Sequence, residues 1–402
     1  MNESTRYRNA VHHLAGIGEA DAELHRPVTT STLFNLASVS KLMTALLLVQ
    51  LDADGTAPLA MPIGSYLAGL HPRLAAVTAA QLLSHTAGLS ENPATTDPVP
   101  ADDDWPAHLV RRLDPRCLVW PPGELFSYSS TGYAVAAGAA AQRCGTSFPE
   151  LVRQRVFAPA GMERTAVQAA APDQDDIAAG YCGTDASGAP ARCPGPPYPG
   201  TLMFMGAGRV YSSIGDLARL AAALAGQGTT ADGTQLLPPE AVRLLMTPQH
   251  AIEHSENGES YGYGLYIRPM RGGTLAYHGG GDVGCSALIE IVPERNYAWV
   301  SVTNQDYASL DGAAWAALDK LAHVRDLDRP QPAPCAVDSQ SFATVIGRYY
   351  NGPDDYHEVF VSGAGLRGVI QQELGRKDLA DMRWEEIWDA ALRIRNRFLR
   401  AP

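Results

Sequence analysis

Ser38-Val39-Ser40-Lys41, followed by Leu42-Met43-Thr44-Ala45-Leu46-Leu47-Leu48-Val49-Gln50-Leu51, decides how this chain is read. A serine and a lysine three residues apart share one face of a helix, one turn from each other. In the first turn the serine also meets free backbone N–H groups and the positive end of the helix dipole, which favour developing negative charge. The run behind it is apolar nearly all round, so the helix is expected to be buried. A buried lysine is costly unless it is paired or gives up its proton. Of 31 Lys and Arg residues only Lys41, Lys320 and Lys377 are lysines. A chain that otherwise prefers arginine so heavily keeps an amine where a guanidinium could not release a proton.

The rest of the composition bounds the answer. At 402 residues the chain can bury a full core in one large or two interlocked domains. A formal charge of −12 argues against a nucleic-acid partner. No uninterrupted apolar segment approaches the length of a membrane span. Met1-Asn2-Glu3-Ser4-Thr5-Arg6 lacks the apolar stretch of a secretion signal, so a cytoplasmic location is expected. Cys117, Cys144, Cys182, Cys193, Cys285 and Cys335 show no CxxC or His/Cys ligand spacing; no zinc site and no cofactor are expected. Cys182 and Cys193 flank the turn signal Asp185-Ala186-Ser187-Gly188 and could face each other across a hairpin; with no secretion signal, free thiols are the favoured reading.

Residues 11–34 suggest one or two strands leading to the serine. From Asp52 to about Gly200 the pattern is mostly helical, clearest at Tyr133–Cys144, and is broken by loops at Pro93–Pro106 and Cys193–Gly200. Helices are expected at Ile214–Gly226 and Pro238–Met246. Tyr263–Ile267, Leu275–His278, Ser286–Ile291 and Trp299–Thr303 then alternate with Gly, Pro and Asn turns, as an antiparallel meander does. A helix at Gly312–Val324 precedes a proline-rich linker at 328–336. Residues 337–402 form a small appendage with strands near Tyr349 and Glu358–Val361 and a helix through Trp384 and Trp388.

Acyl transfer by a serine needs a nucleophile, a base, oxyanion donors and a proton donor for the leaving group. Ser38 and Lys41 can supply the first two. Trp120 to Tyr133 offers the phenol of Tyr128 on a loop entering a helix, and His278-Gly279-Gly280-Gly281 offers an imidazole followed by glycines that permit close approach. Bland readings fit the neighbours: Ser40 structural, His85 bonding a loop, Tyr133 and Tyr211 in the core, His12-His13 terminal, and Cys285 without an evident base.

In these segments the chain resembles the serine β-lactamase and penicillin-recognising superfamily, in the branch of class C β-lactamases, D-alanyl-D-alanine peptidases, β-lactamase-like esterases and transacylases. Phe34–Lys41, Leu82–Leu89, Pro122–Tyr133, Tyr211–Ala218 and His278–Gly284 carry the resemblance, in the family's order, over roughly residues 11 to 325. It implies an α+β fold: an antiparallel sheet flanked by helices in a catalytic domain of residues 1–327, with a helical insertion at about 55–200. It also implies Ser38 as nucleophile, Lys41 as proton acceptor, Tyr128 as general base and later proton donor, and His278 in place of the lysine of a Lys-Thr-Gly motif. The N–H groups of Ser38 and Gly281 would form the oxyanion hole, with Gly280 and Ser130 at the substrate.

Two departures bear on substrate. Ser130 stands where the family often has Asn, and Gly279 where it places a hydroxyl; His278 is at best a part-time cation near neutral pH. Both changes weaken a grip on a carboxylate. The expected activity is acyl transfer from a small ester or amide, through an ester on Ser38, to an amine, an alcohol or water. A D-amino-acid peptidase or weak β-lactamase is the alternative, and a catalytically silent ligand-binding domain the alternative of another class. Hydrolysis of nitrocefin is accordingly expected to be weak or absent while short p-nitrophenyl esters are cleaved. Each lost hydrogen bond to a charged or buried group costs roughly 1.5–3 kcal/mol, and parallel rate assays on the two substrates check this.

Overall fold

The apolar run after Lys41 folds as expected. In the computed structural model α1 spans Ser40–Ala53, and every residue from Ser40 to Val49 is buried. The described residues are 11, 13–90, 105–113, 117–167, 176–184, 188–193, 205–252, 255, 257–306, 308–325, 347–350, 356–362, 365–372 and 375–378. After α1 come the short α2 (Pro72–Ala75) and α3 (Ala79–Leu83), then α4 (Trp105–Arg112), α5 (Ser130–Cys144) and α6 (Phe148–Val152). Thr78 caps α3 with a reciprocal Thr–Gln box, and Ser129 caps α5 by accepting from Gly132 N–H. The small residues of α5 let it lie close to α1: Thr131 to Ala141 are all buried.

Strands begin with a hairpin of β1 (Glu19–Asp21) and β2 (Arg26–Pro27). A three-stranded sheet follows, with β7 (Val210–Ser213) between β3 (Leu33–Asn35) and β4 (Ala166–Val167). A second hairpin pairs β5 (Tyr181–Thr184) with β6 (Pro190–Arg192). The main sheet is a six-stranded antiparallel meander of β8 (His250–Ala251), β9 (Ser260–Tyr261), β10 (Tyr266–Met270), β11 (Gly273–Asp282), β12 (Cys285–Val292) and β13 (Tyr297–Thr303). α7 (Ile214–Ala225) packs on β12 and β13, and α8 (Pro239–Leu245) on α1. α9 (Asp311–Ala317) runs on into a wider turn at Leu318–Ala322. β14 (Gly347–Tyr350), β15 (Tyr356–Ser362), β16 (Gly365–Gln372) and β17 (Gly375–Asp378) form a separate antiparallel sheet.

Three expectations change. Tyr263–Ile267 is not one strand. Gly264 turns at φ +74°, where a Cβ would lie 2.8 Å from Ala45 Cβ, and the strand starts only at Tyr266. The helix expected through Val324 ends with His323 at φ 54°. Cys182 and Cys193 form a disulfide with Cα atoms 5.3 Å apart, so the reading as free thiols is corrected. The hairpin that the turn signal implied brings them together. The linker at 328–336, most of the loop at Pro93–Pro106 and the helix through Trp384 and Trp388 lie outside the described residues.

The disulfide closes a loop of sequence separation 11. Replacing both cysteines by serine is expected to cost about 3 kcal/mol through the entropy of the unfolded chain, read as a lower urea midpoint than that of the oxidised wild type.

Candidate active site

Ser38, the candidate nucleophile, sits on a strained turn. β3 ends at Asn35, whose side chain accepts from Ala37 N–H at 3.0 Å. Ala37 has φ +43°, in the left-handed region that an L side chain rarely enters. Ser38 follows in a short 3-10 turn, Ala37–Val39, that leads directly into α1. Ser38 is half-buried and Lys41 fully buried. Ser40 accepts from Val210 N–H at 3.0 Å, which fits its structural reading.

Lys41 Nζ draws three parts of the chain to one point. It donates to Ser38 Oγ at 3.1 Å, to Ser130 Oγ at 3.2 Å and to the carbonyl oxygen of Ala207 at 3.0 Å. It also lies 4.7 Å from the centroid of the Tyr128 ring, within cation–π range. Ser38, Lys41 and Tyr128, from segments up to 90 residues apart, thus lie together.

His85 holds the loop that carries Tyr128. Its Nδ1 accepts from Ser129 N–H at 2.9 Å, and its carbonyl oxygen accepts from Ser127 N–H at 2.7 Å. Ser129 Oγ donates to the carbonyl of Ser90 at 2.6 Å, and the Tyr128 ring lies 4.3 Å from the His85 ring, centroid to centroid. Burial, then the charge of Lys41, then His278 drive the His85 imidazole well below its ordinary pKa, so it stays neutral. Tyr133 is core: it is fully buried and donates to the Leu83 carbonyl at 2.6 Å.

On the sheet side, β10 pairs with β11 only from Gly273 to Tyr277, so His278 to Asp282 run past it beside the nucleophile turn. The approach is close at Gly280, where a Cβ would lie 2.3 Å from the Leu36 carbonyl oxygen and 3.0 Å from Ser38 N. Gly281 is the next residue, opposite Ser286 on β12. Gly279 is different: a Cβ there meets nothing within 4 Å. Packing does not forbid the missing hydroxyl.

His278 departs from the expected part-time cation. It is almost fully buried, Nδ1 lies 2.6 Å from the Gly279 carbonyl oxygen, and Nε2 lies 3.0 Å from the Tyr261 hydroxyl. Burial first, and then the Lys41 charge, push its pKa down to about 3, so it is neutral at physiological pH.

Three participants escaped the sequence reading. Ala207 acts through its backbone, and the Gly206-Ala207-Gly208 run is the signal that could have found it: Gly206 has φ +83° and packs on α5, where a Cβ would strike Ala137. Tyr261 reads as an ordinary strand residue. Arg209 is almost fully buried, and its charge acts on Asp282, the residue after Gly281, against the burial that raises that carboxyl's pKa. Among the described residues no cluster of His, Cys, Asp and Glu could hold a metal ion.

A family model described as Beta-lactamase matches residues 5–323. The chain belongs to the beta-lactamase family. It is 28% identical over 357 residues to penicillin-binding protein 4 of Amycolatopsis lactamdurans, covering 83% of this chain and 90% of that one. It is 27% identical over 374 residues to a D-aminopeptidase of Gluconobacter oxydans, covering 89% of this chain and 65% of the relative. Among solved structures, SurE superposes with a TM-score of 0.67 at 27% identity, over 89% of this chain and 81% of SurE. The family's enzymes are serine hydrolases, and the chain is an enzyme of that type.

Two variant pairs test the geometry. Gly280→Ala should lower kcat roughly 10²-fold by displacing the strand from the nucleophile turn, whereas Gly279→Ala should leave kcat and melting temperature near wild type. Lys41→Arg should be almost as damaging as Lys41→Ala, about 10²–10⁴-fold, because guanidinium stays protonated and cannot relay a proton. Turnover of a p-nitrophenyl ester by variants with native thermal unfolding checks both.

Proposed function

We propose that this enzyme forms an ester between Ser38 and the acyl group of a small ester or amide, then passes that group to an amine, an alcohol or water. The observation that carries the reading is Lys41 Nζ, fully buried and 3.1 Å from Ser38 Oγ. As Ser38 Oγ attacks the carbonyl carbon, its proton moves to Lys41 while Lys41 passes one of its own to the Tyr128 phenolate, so the ammonium is kept and Tyr128 ends as the phenol. The N–H groups of Ser38 and Gly281 hold the oxyanion, and Tyr128 returns a proton to the leaving group. Deacylation reverses the roles, with the incoming nucleophile giving its proton to the same pair. Ser130, bonded to Lys41, and Gly280, against the nucleophile turn, border the place where substrate lies.

The similar proteins include a D-aminopeptidase and an unguisins hydrolase of Aspergillus violaceofuscus, and one SurE structure holds D-Leu. These names favour an amide or peptide donor bearing a D-residue. With Ser130 and Gly279 in place of Asn and a hydroxyl, and a neutral His278, the grip on a penicillin-type carboxylate is reduced, which favours a dedicated small-molecule pathway. A silent binding module would have no use for the Ser38–Lys41–Tyr128 relay. The cytoplasmic location expected from Met1–Arg6 is set against the Cys182–Cys193 bond, since disulfides persist mainly in oxidising compartments.

Transfer and hydrolysis separate by product partitioning. With an activated ester as donor, added amines are expected to divert a measurable share of acyl groups into amide, raising total turnover where deacylation limits. Mass spectrometry across a series of amine and alcohol acceptors measures the share. Free acid alone at every acceptor concentration would leave a simple hydrolase.

A further inference from the structure

One buried contact beside the nucleophile takes no part in the steps above. Tyr261, at the end of β9, is fully buried, and its hydroxyl lies 3.0 Å from His278 Nε2. The other ring nitrogen, Nδ1, lies 2.6 Å from the Gly279 carbonyl oxygen. A carbonyl oxygen only accepts, so Nδ1 carries the proton. In a neutral imidazole Nε2 then presents a lone pair, and the tyrosine O–H is the donor.

We propose that Tyr261 is a positioning residue for acyl transfer: its hydroxyl locks His278 as the neutral Nδ1–H tautomer, leaving Lys41 and Tyr128 to move the proton. The imidazole at the Lys-Thr-Gly position is thereby a fixed neutral wall, with both nitrogens engaged inside the protein. This rests on Ser38 as the nucleophile.

The surroundings support it from each element that faces the ring. Lys41 on α1 places a charge nearby that opposes an imidazolium. Tyr128, on the loop before α5, lies 6.3 Å from the ring centroid, and Tyr266 on β10 lies 5.4 Å away. His85, itself held neutral, lies 4.7 Å from the Tyr261 ring, and Tyr261 meets His278 nearly edge-on at 83°. Only the Gly279 carbonyl favours the charged form. Tyr261 thus meets a hydrogen-bonding need of Nε2 that no water is required to fill. Deleting that single hydroxyl would leave the Nε2 lone pair without its donor and the tautomer without its lock.

The test uses the full-length protein with ¹⁵N-labelled histidine, the His278 signals being identified by their loss in His278→Gln. In wild type, nitrogen shifts should report the Nδ1–H tautomer and stay constant from pH 5 to pH 8. Tyr261→Phe should change the Nε2 shift or move the ring proton to Nε2, with His278 still neutral across that window because burial and the Lys41 charge remain, and should lower kcat roughly tenfold with little change in KM. A wild-type His278 that titrates between pH 5 and pH 8, or carries its proton on Nε2, overturns the proposal. So does a folded Tyr261→Phe protein whose His278 nitrogen shifts and kcat match wild type. The wild-type spectrum decides the tautomer even where Tyr261→Phe does not fold. Fluorophosphonate labelling of Ser38, measured separately, shows whether the nucleophile assignment has failed instead.

Discussion

Everything around the cleft answers to one buried amine. Taking an ammonium out of water costs several kcal/mol unless acceptors replace its hydration. Lys41 Nζ has three oxygens within 3.2 Å, from the nucleophile turn, the start of α5 and the segment before β7. Those segments are distant in sequence, so the fold must bring all of them to one point before the lysine can be buried. The same contacts that offset desolvation place the amine where a proton from Ser38 would go. Stability and chemistry share one geometric requirement.

That requirement explains why the neighbouring backbone is so tightly specified. Thr44, one turn beyond Lys41, donates to the Gly206 carbonyl at 2.6 Å, and Val210 is bonded to both Ser40 and Leu36. Segment 206–210 is therefore laced along the first turns of α1. On the other side, Gly280 touches the backbone of the nucleophile turn, and Gly264 packs against the backbone of Lys41 and Leu42. Any side chain at these two glycines would separate elements that must meet. The strain at Ala37 persists because the surrounding strand, turn and helix over-determine its conformation.

Much of this was legible in sequence because it lay in local pattern. The all-apolar stretch after Lys41, the small apolar run Tyr133–Cys144 and the Gly-punctuated alternation after Tyr261 each fix an element from short-range information. The Ser38–Lys41 contact was legible from helical spacing, and the nearness of Tyr128 from the family resemblance. What escaped depends on tertiary context. A carbonyl such as that of Ala207 has no side-chain signature, and a buried tyrosine such as Tyr261 looks like any strand residue. The state of His278 follows from burial and the neighbouring Lys41 charge, neither of which a motif encodes. The Cys182–Cys193 bond was missed because compartment was allowed to outweigh a hairpin that local turn chemistry already implied.

The neutrality of the two histidines bears on what the cleft can select. With His85 and His278 uncharged, neither imidazole adds to the positive charge of Lys41 beside Ser38. A substrate carboxylate placed near Gly279 would find open space and no hydroxyl there. Binding an uncharged donor forfeits nothing at that position, whereas an anionic donor loses hydration that nothing at Gly279 or His278 restores. Selection by such a site works less through attraction than through the unrecovered cost of desolvating the wrong substrate. The open space at Gly279 is consistent with this, since a larger residue would fit there and its absence is not imposed by packing. On the proposed reading, discrimination would lie in a missing hydroxyl and a missing charge beside Ser38 and Lys41.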